Sequence, residues 1–131
     1  MKKKFRVLKS IILCLIISMF INGCYNNKKN INEREYNLIV INNSKEEIKS
    51  YEYKSNDSSG GAAYADNSYI KTGDKFNFLI SGNELVLTII DKNNNSFSSE
   101  KFDADFNNKN RIYVISIDKN EDGEWSFQFN K

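Results

Sequence analysis

The sequence predicts an all-β domain, a sandwich of two sheets packed face to face. Two observations carry this. From residue 36 onward, apolar residues recur with period two or in short runs, punctuated by turn signals about every 8–12 residues. No stretch keeps apolar residues at i, i+3, i+4 and i+7 for three turns, so no core helix is expected beyond a lone helical turn at residues 45–49.

The elements follow in order. Tyr36-Asn37-Leu38-Ile39-Val40-Ile41 is a β-rich run closed by Asn42-Asn43-Ser44. Residues 47–53 alternate weakly through Ile48, Tyr51 and Tyr53. Residues 74–80 alternate well, with Phe76, Phe78 and Ile80 on one face. Residues 85–90 are a continuous apolar run, expected of a central strand or one covered on both sides, and 91–95 form the next turn. Residues 97–106 are read as one irregular strand. Residues 112–117 are strongly β-branched, and Trp125, Phe127 and Phe129 alternate with polar neighbours, which places Trp125 in the core.

Counted this way the domain has about seven strands, which suits an antiparallel sandwich of immunoglobulin or fibronectin kind. The Cys…Trp…Cys spacing of true immunoglobulin domains is absent. Residues 38–129 resemble small exported sandwich domains of Gram-positive bacteria that have no assigned function. The resemblance rests on Val40-Ile41-Asn42-Asn43-Ser44, Ile70-Lys71-Thr72-Gly73-Asp74-Lys75-Phe76 and Leu87-Thr88-Ile89-Ile90-Asp91-Lys92-Asn93. It implies a fold and no mechanism.

The front of the chain has a different character. Lys2, Lys3, Lys4, Arg6 and Lys9 precede an uncharged stretch of 14 residues, 10–23. A permanent spanning helix needs ~20 apolar residues, so this stretch has the length of a signal-peptide h-region, helical during export. Ile21-Asn22-Gly23-Cys24 then resembles the lipobox of bacterial lipoprotein precursors, with Asn22 where a small or apolar residue is usual. The resemblance implies cleavage after Gly23 and a diacylglyceryl thioether, with palmitate as a usual acyl chain, on Cys24. Two acyl chains anchor stably where one does not. The expected organisation is a signal peptide over 1–23, a lipidated cysteine and flexible tether over 24–35, and the sandwich over 36–131. The tether would span roughly 20 Å on average. The expected location is the extracytoplasmic face of the cell membrane.

Charge and cysteine usage agree with that division. The full chain carries 19 basic and 17 acidic residues, but five of the basic ones lie before residue 10. Without them the balance is 14 to 17, a net charge of −3, with no clustered basic stripe. Nucleic-acid binding is therefore not expected. Cys14 leaves with the signal peptide, so Cys24 is the sole mature cysteine and no intrachain disulfide can form. The bias toward Ile, Asn and Lys points to an AT-rich genome, such as that of a low-GC Gram-positive bacterium.

The chain has no histidine, which excludes Ser-His and Cys-His nucleophilic sites and His-ligated zinc. Asp103 and Asp105, two apart, are a candidate carboxylate pair, but the simpler reading is the solvated face of a strand. No catalytic residue and no cofactor are expected. Asp118, Asn120 and Asp122 begin like a calcium loop, yet position twelve is Phe129 where a bidentate Glu is needed. The stretch is read first as a hairpin turn with Asp122-Gly123 at positive φ.

The stretch from Tyr51 to Tyr69 is the main binding candidate. Its Ser-Asn-Asp-Ser-Ser-Gly-Gly centre is expected to be a mobile, unpacked loop, flanked by Tyr51, Tyr53, Tyr64 and Tyr69. Tyrosine with Ser, Gly and Asn is the chemistry of adaptable binding loops, while the simpler reading is a long solvent loop whose tyrosines cap the end of the sandwich. The expected function is a non-enzymatic module presenting loops to a wall polymer, a host ligand or a protein. Two alternatives are an accessory subunit of an envelope complex binding through a sheet edge, and, least favoured, a small carboxylate hydrolase.

Overall fold

A computed structural model describes residues 35–131. The signal-peptide expectation and the tether up to residue 34, with Gly23 and Cys24, lie outside these residues. The described chain forms nine strands and no helix: β1 (Leu38–Asn42), β2 (Ile48–Ser55), β3 (Ser59–Ala62), β4 (Lys75–Phe78), β5 (Glu84–Asp91), β6 (Ser96–Ser98), β7 (Phe102–Asp103), β8 (Tyr113–Lys119) and β9 (Trp125–Asn130). One sheet has the order β4-β1-β8-β9. The other has the order β3-β2-β5-β6, with β7 also pairing β5. The all-β sandwich predicted from periodicity is therefore present. One pair departs from the antiparallel expectation, since β1 runs parallel to β8. That pairing unites strands from the two ends of the domain, and the connection between them runs through the other sheet and through β4 of the same one.

Period two is what drives the core. Leu38 and Val40 of β1, Leu85, Leu87 and Ile89 of β5, and Tyr113, Ile115 and Ile117 of β8 are all buried. Each such aliphatic side chain contributes about 1.5–3 kcal/mol on leaving water. The continuous apolar run in β5 turns out to be a central strand, between β2 and β6/β7, whose second face is half-buried. Aromatic pairs stitch both flanks of the sandwich. Tyr51 and Tyr53 of β2 meet Phe76 and Phe78 of β4 edge-on, at 5.6 and 5.4 Å. On the other flank Phe97 meets Trp125 at 6.0 Å and Phe102 stacks on Phe129 at 4.8 Å. Trp125 is half-buried rather than fully in the core, because its strand is the last of its sheet.

Three expectations need correction. Residues 97–106 are two strands, β6 and β7, not one. Between them the Ser99 hydroxyl accepts the Leu87 N–H at 3.0 Å, so a side chain interrupts the regular ladder. Ser59–Ala62 is not an unpacked loop but β3, pairing Tyr53 with Gly60 and Tyr51 with Ala62. Glycine is what admits it. A Cβ on Gly60 would lie 2.9 Å from the Tyr53 ring, and one on Gly61 2.6 Å from the Tyr51 carbonyl oxygen. The helical turn at 45–49 is absent, and β2 begins inside that stretch.

Buried asparagines close the two ends. Asn37 donates to the carbonyls of Ile80 (2.7 Å) and Phe106 (2.6 Å) and accepts from Ile80 N–H (2.8 Å). At the other end Asn42 donates to Glu46 O (2.9 Å) and Ile70 O (3.1 Å). Its side-chain oxygen accepts from the Ser44 N–H (3.0 Å) and hydroxyl (2.6 Å). Thr72 adds a bond to Ser44 O at 2.6 Å, and Gly73 N–H one to Asn42 O at 2.6 Å. Segments 40–44 and 70–76 thus meet at Asn42.

Candidate functional site at the tyrosine end

The strand registers define two ends. Leu38 lies beside Phe78 and Tyr113, and Val114 beside Asn130, at the end where the chain enters. Asn37 reaches Ile80 there, and the Ser55 hydroxyl bonds to Ser81 O, so Ser55 and Leu85 share that end. Ile41 lies beside Lys75, Asn42 beside Ile117 and Ile48 beside Asp91 at the far end. The far end carries residues 63–74, which cross from β3 to β4, together with the turns at 91–95 and 120–124.

The crossing is held by its own polar groups. The Tyr64 hydroxyl donates to Asp74 Oδ2 at 3.0 Å, and the Lys71 N–H reaches the same oxygen at 2.8 Å. Asn67, at φ +59°, turns the chain, with its N–H on Tyr64 O and the Ser68 N–H on Asp66 Oδ1, at 3.1 and 3.0 Å. Ile70 then returns to Ile48 through two backbone bonds. The Tyr64 ring rests on Phe76 at 5.3 Å. The segment is a shaped loop, and it sets Tyr64 and Tyr69 on the surface, 36% and 37% exposed.

The four tyrosines do not form one surface. Tyr51 is 1% exposed and belongs to the core, and its hydroxyl has no hydrogen-bond partner. Burial pushes that hydroxyl far above the ordinary tyrosine range, and Asp74 and Tyr64 add to the shift. Tyr53 is half-buried over Gly60. The bond to Asp74 is the main cause of a raised Tyr64. Tyr51 and Tyr64 share Phe76 as a neighbour, one from inside and one from outside.

Asn120, within the candidate calcium stretch, serves the β8–β9 turn. Its Oδ1 accepts the Glu124 N–H at 2.8 Å and its carbonyl the Gly123 N–H at 3.1 Å. Only Gly123, at φ +84°, takes positive φ, where Asp122 was expected to as well. This is a three-residue loop ending in a left-handed residue. Asp118 is half-buried opposite Ser126, and Asp122 is exposed at the tip. Among the described residues no group of three or more His, Cys, Asp or Glu is placed to hold a metal. A shallow depression of ≈ 280 Å³ does lie beside this turn, lined by residues 43–46 and 118–121.

The 91–95 turn is built alike. Asp91 Oδ1 accepts the N–H groups of Asn93 and Asn95, each at 2.8 Å, and Asn94 supplies the left-handed residue at φ +66°. Burial pushes the Asp91 carboxyl up, but the bonds from Asn95 and Asn93 outweigh it and leave the pKa lowered. Asp103 and Asp105 are both exposed. Asp103 lies 3.7 Å from Lys101, itself 3.0 Å from Glu84, while Asp105 accepts the Asn107 N–H at 3.2 Å.

Sequence reasoning missed Asn37 and Asn42. A signal for Asn42 was present: it is in phase with the inward residues Leu38 and Val40. The chain matches no protein-family model, no curated protein and no solved structure.

Proposed function

We propose that this chain is an extracytoplasmic lipoprotein, anchored through a diacylglyceryl group on Cys24. On this reading it is a non-enzymatic binding module for a glycan or a protein. The observation that carries the binding part is the polarity of the sandwich. The chain enters at one end, and Tyr64 and Tyr69 lie exposed on a shaped loop at the other. Exposed aromatic rings with neighbouring Ser, Asn and Asp groups suit sugar rings or a polar peptide. The anchor rests on the basic start, the short apolar run and Ile21-Asn22-Gly23-Cys24.

The immunoglobulin- or fibronectin-like assignment is part of this proposal. Two layers of short strands support it. The central place of β1, parallel to β8, is a departure from the usual constant-domain order.

Two experiments test the reading. Mass analysis of the protein from its own cells should find a diacylated N-terminal Cys24. Retention of Met1, or an unlipidated Cys24, would overturn the anchor. Tyr64→Ala with Tyr69→Ala should abolish binding to isolated cell walls or to a crosslinked surface partner while the circular dichroism spectrum is unchanged. Binding that survives both changes would remove these residues from the site.

A further inference from the structure

We propose that β9 is a self-association edge, to which a second copy of this chain adds its own β9 in antiparallel sense about a two-fold axis through Phe127. The inference goes beyond ligand binding at the tyrosine end and does not depend on it.

The first observation is an unguarded edge. β9 is the last strand of its sheet, and among the described residues no strand lies beyond it. Its sequence, Trp-Ser-Phe-Gln-Phe-Asn, has no charge, glycine or proline. Its register with β8 runs unbroken from Val114↔Asn130 to Lys119↔Trp125, so it carries no bulge. The other edges are short or interrupted: β3 holds two glycines, β4 begins with Lys75, and β6 and β7 have three and two residues. Exposed strands are normally guarded by charge, proline, bulges or brevity, and the six residues of β9 have none of these, the nearest charges being Lys119 over the Trp125 ring and Lys131 over the Phe129 ring at its two ends.

The second observation is the phase of its backbone. Asn120 N–H donates to Glu124 O at the turn. Hydrogen-bonded pairs alternate along an antiparallel ladder. Ser126, Gln128 and Asn130 therefore bond to β8, and Trp125, Phe127 and Phe129 direct their N–H and C=O groups outward. An axis through Phe127 sets Trp125 against Phe129 of the second copy and Phe127 against itself. Every outward group then finds a partner. On the solvent face Ser126 meets Gln128 of the second copy, both small enough or flexible enough to pass.

The third observation is charge, which chooses the occupant. Glu121, Asp122 and Glu124 cluster at the turn end of the β8–β9 hairpin, where Lys119 offsets one of the three charges and leaves the end acidic. Arg111, two residues before β8, and Lys131, directly after β9, lie at its other end. Antiparallel addition of a second copy brings the acidic end of each hairpin beside the basic end of the other. Parallel addition would set like charges together.

The test uses the full chain in detergent. Sedimentation should show a concentration-dependent dimer, and emission from Trp125, the single tryptophan, should shift with it. Amide exchange at Trp125, Phe127 and Phe129 should slow about tenfold or more between dilute and concentrated samples. The double variant Ser126→Lys/Gln128→Lys should be monomeric with an unchanged circular dichroism spectrum. Mixing it with Ser126→Glu/Gln128→Glu should restore the dimer. A wild type that stays monomeric at its highest soluble concentration overturns the proposal, as does protection of these amides only when an extended peptide is added. A dimer that the lysine pair leaves intact also overturns it. If the lysine variant does not fold, the amide measurement on the wild type decides alone. Cell-wall binding through Tyr64 and Tyr69 is a separate readout, so either idea can fail without the other.

Discussion

The Tyr64 hydroxyl donates to Asp74 Oδ2 at 3.0 Å, and this bond fastens the 63–74 crossing over the flank between β3 and β4. Beneath it Tyr51 keeps a hydroxyl that bonds to nothing. The loop that presents the exposed tyrosines is thus fixed to a core that carries an unsatisfied polar group.

Removing that group is expected to stabilise the fold. Tyr51→Phe deletes a buried donor with no acceptor and keeps the ring contact with Phe76, and should gain about 1 kcal/mol. Both Tyr51 and Tyr64 have folded pKa values raised above the unfolded one. Their contribution is fully present below about pH 10 and is lost as pH rises through the folded values. Urea unfolding at neutral and alkaline pH should therefore show a shallower alkaline decline in Tyr51→Phe than in wild type. Equal declines would mean that Tyr51 is not the group responsible.

Asn42 should be among the least replaceable residues at the far end. Asn42→Ala leaves the buried Ser44 N–H without its partner and takes one of two donors from each of two carbonyls, Ile70 O, which keeps the Ile48 N–H, and Glu46 O, which keeps the Ser44 hydroxyl. The expected loss is about 2–4 kcal/mol. Denaturant titration reads this directly. A loss within about 0.5 kcal/mol, the range of ordinary surface changes, would mean that water replaces the side chain at no cost.

Gly60 and Gly61 should respond unequally to alanine. At Gly61 the new methyl meets the Tyr51 carbonyl, which is fixed in the ladder, whereas at Gly60 it meets the Tyr53 ring, which can shift. Gly61→Ala should cost about 1–3 kcal/mol, and Gly60→Ala less. Amide exchange at Ser59–Ala62 should accelerate in the first variant. Unchanged exchange there would show that β3 does not need the close approach.

Asp91 sets the acid limit of the 91–95 turn. Its folded pKa is lowered, so its contribution is present above about pH 4, the unfolded value, and is lost as pH falls through the folded one. Asp91→Asn keeps an acceptor for the Asn93 and Asn95 N–H groups but cannot titrate. Its stability should fall less between pH 5 and pH 2, measured by thermal unfolding. Parallel acid limbs for the two proteins would assign the acid loss to other carboxylates.

Much of the strand pattern was legible because phase is a local property. Leu38 and Val40, Phe76 and Phe78, Ile115 and Ile117 announce their inward faces without reference to any partner. The Asp91 and Asn120 turns were legible for the same reason, since their bonds close within five residues. β3 was not, because two of its four residues are glycines and a strand without side chains leaves no period to read. The site was only partly legible. Composition marked the Tyr51–Tyr69 stretch, but alternation alone could not say that Tyr51 faces Phe76 inside while Tyr64 covers the same ring from outside.

The sequence by itself determined which residues are extended, where the chain turns, and that no described residue is a cysteine able to staple the sandwich. Only the tertiary structure decided who pairs with whom. It set β1 beside β8, brought segments 40–44 and 70–76 together at Asn42, divided the tyrosines between core and surface, and left β9 with an open edge. The physical reason is range. Extended backbone and tight turns arise from neighbours a few residues apart, whereas burial and pairing depend on partners such as Asn37 and Phe106, 69 residues apart, that meet only when both sheets close.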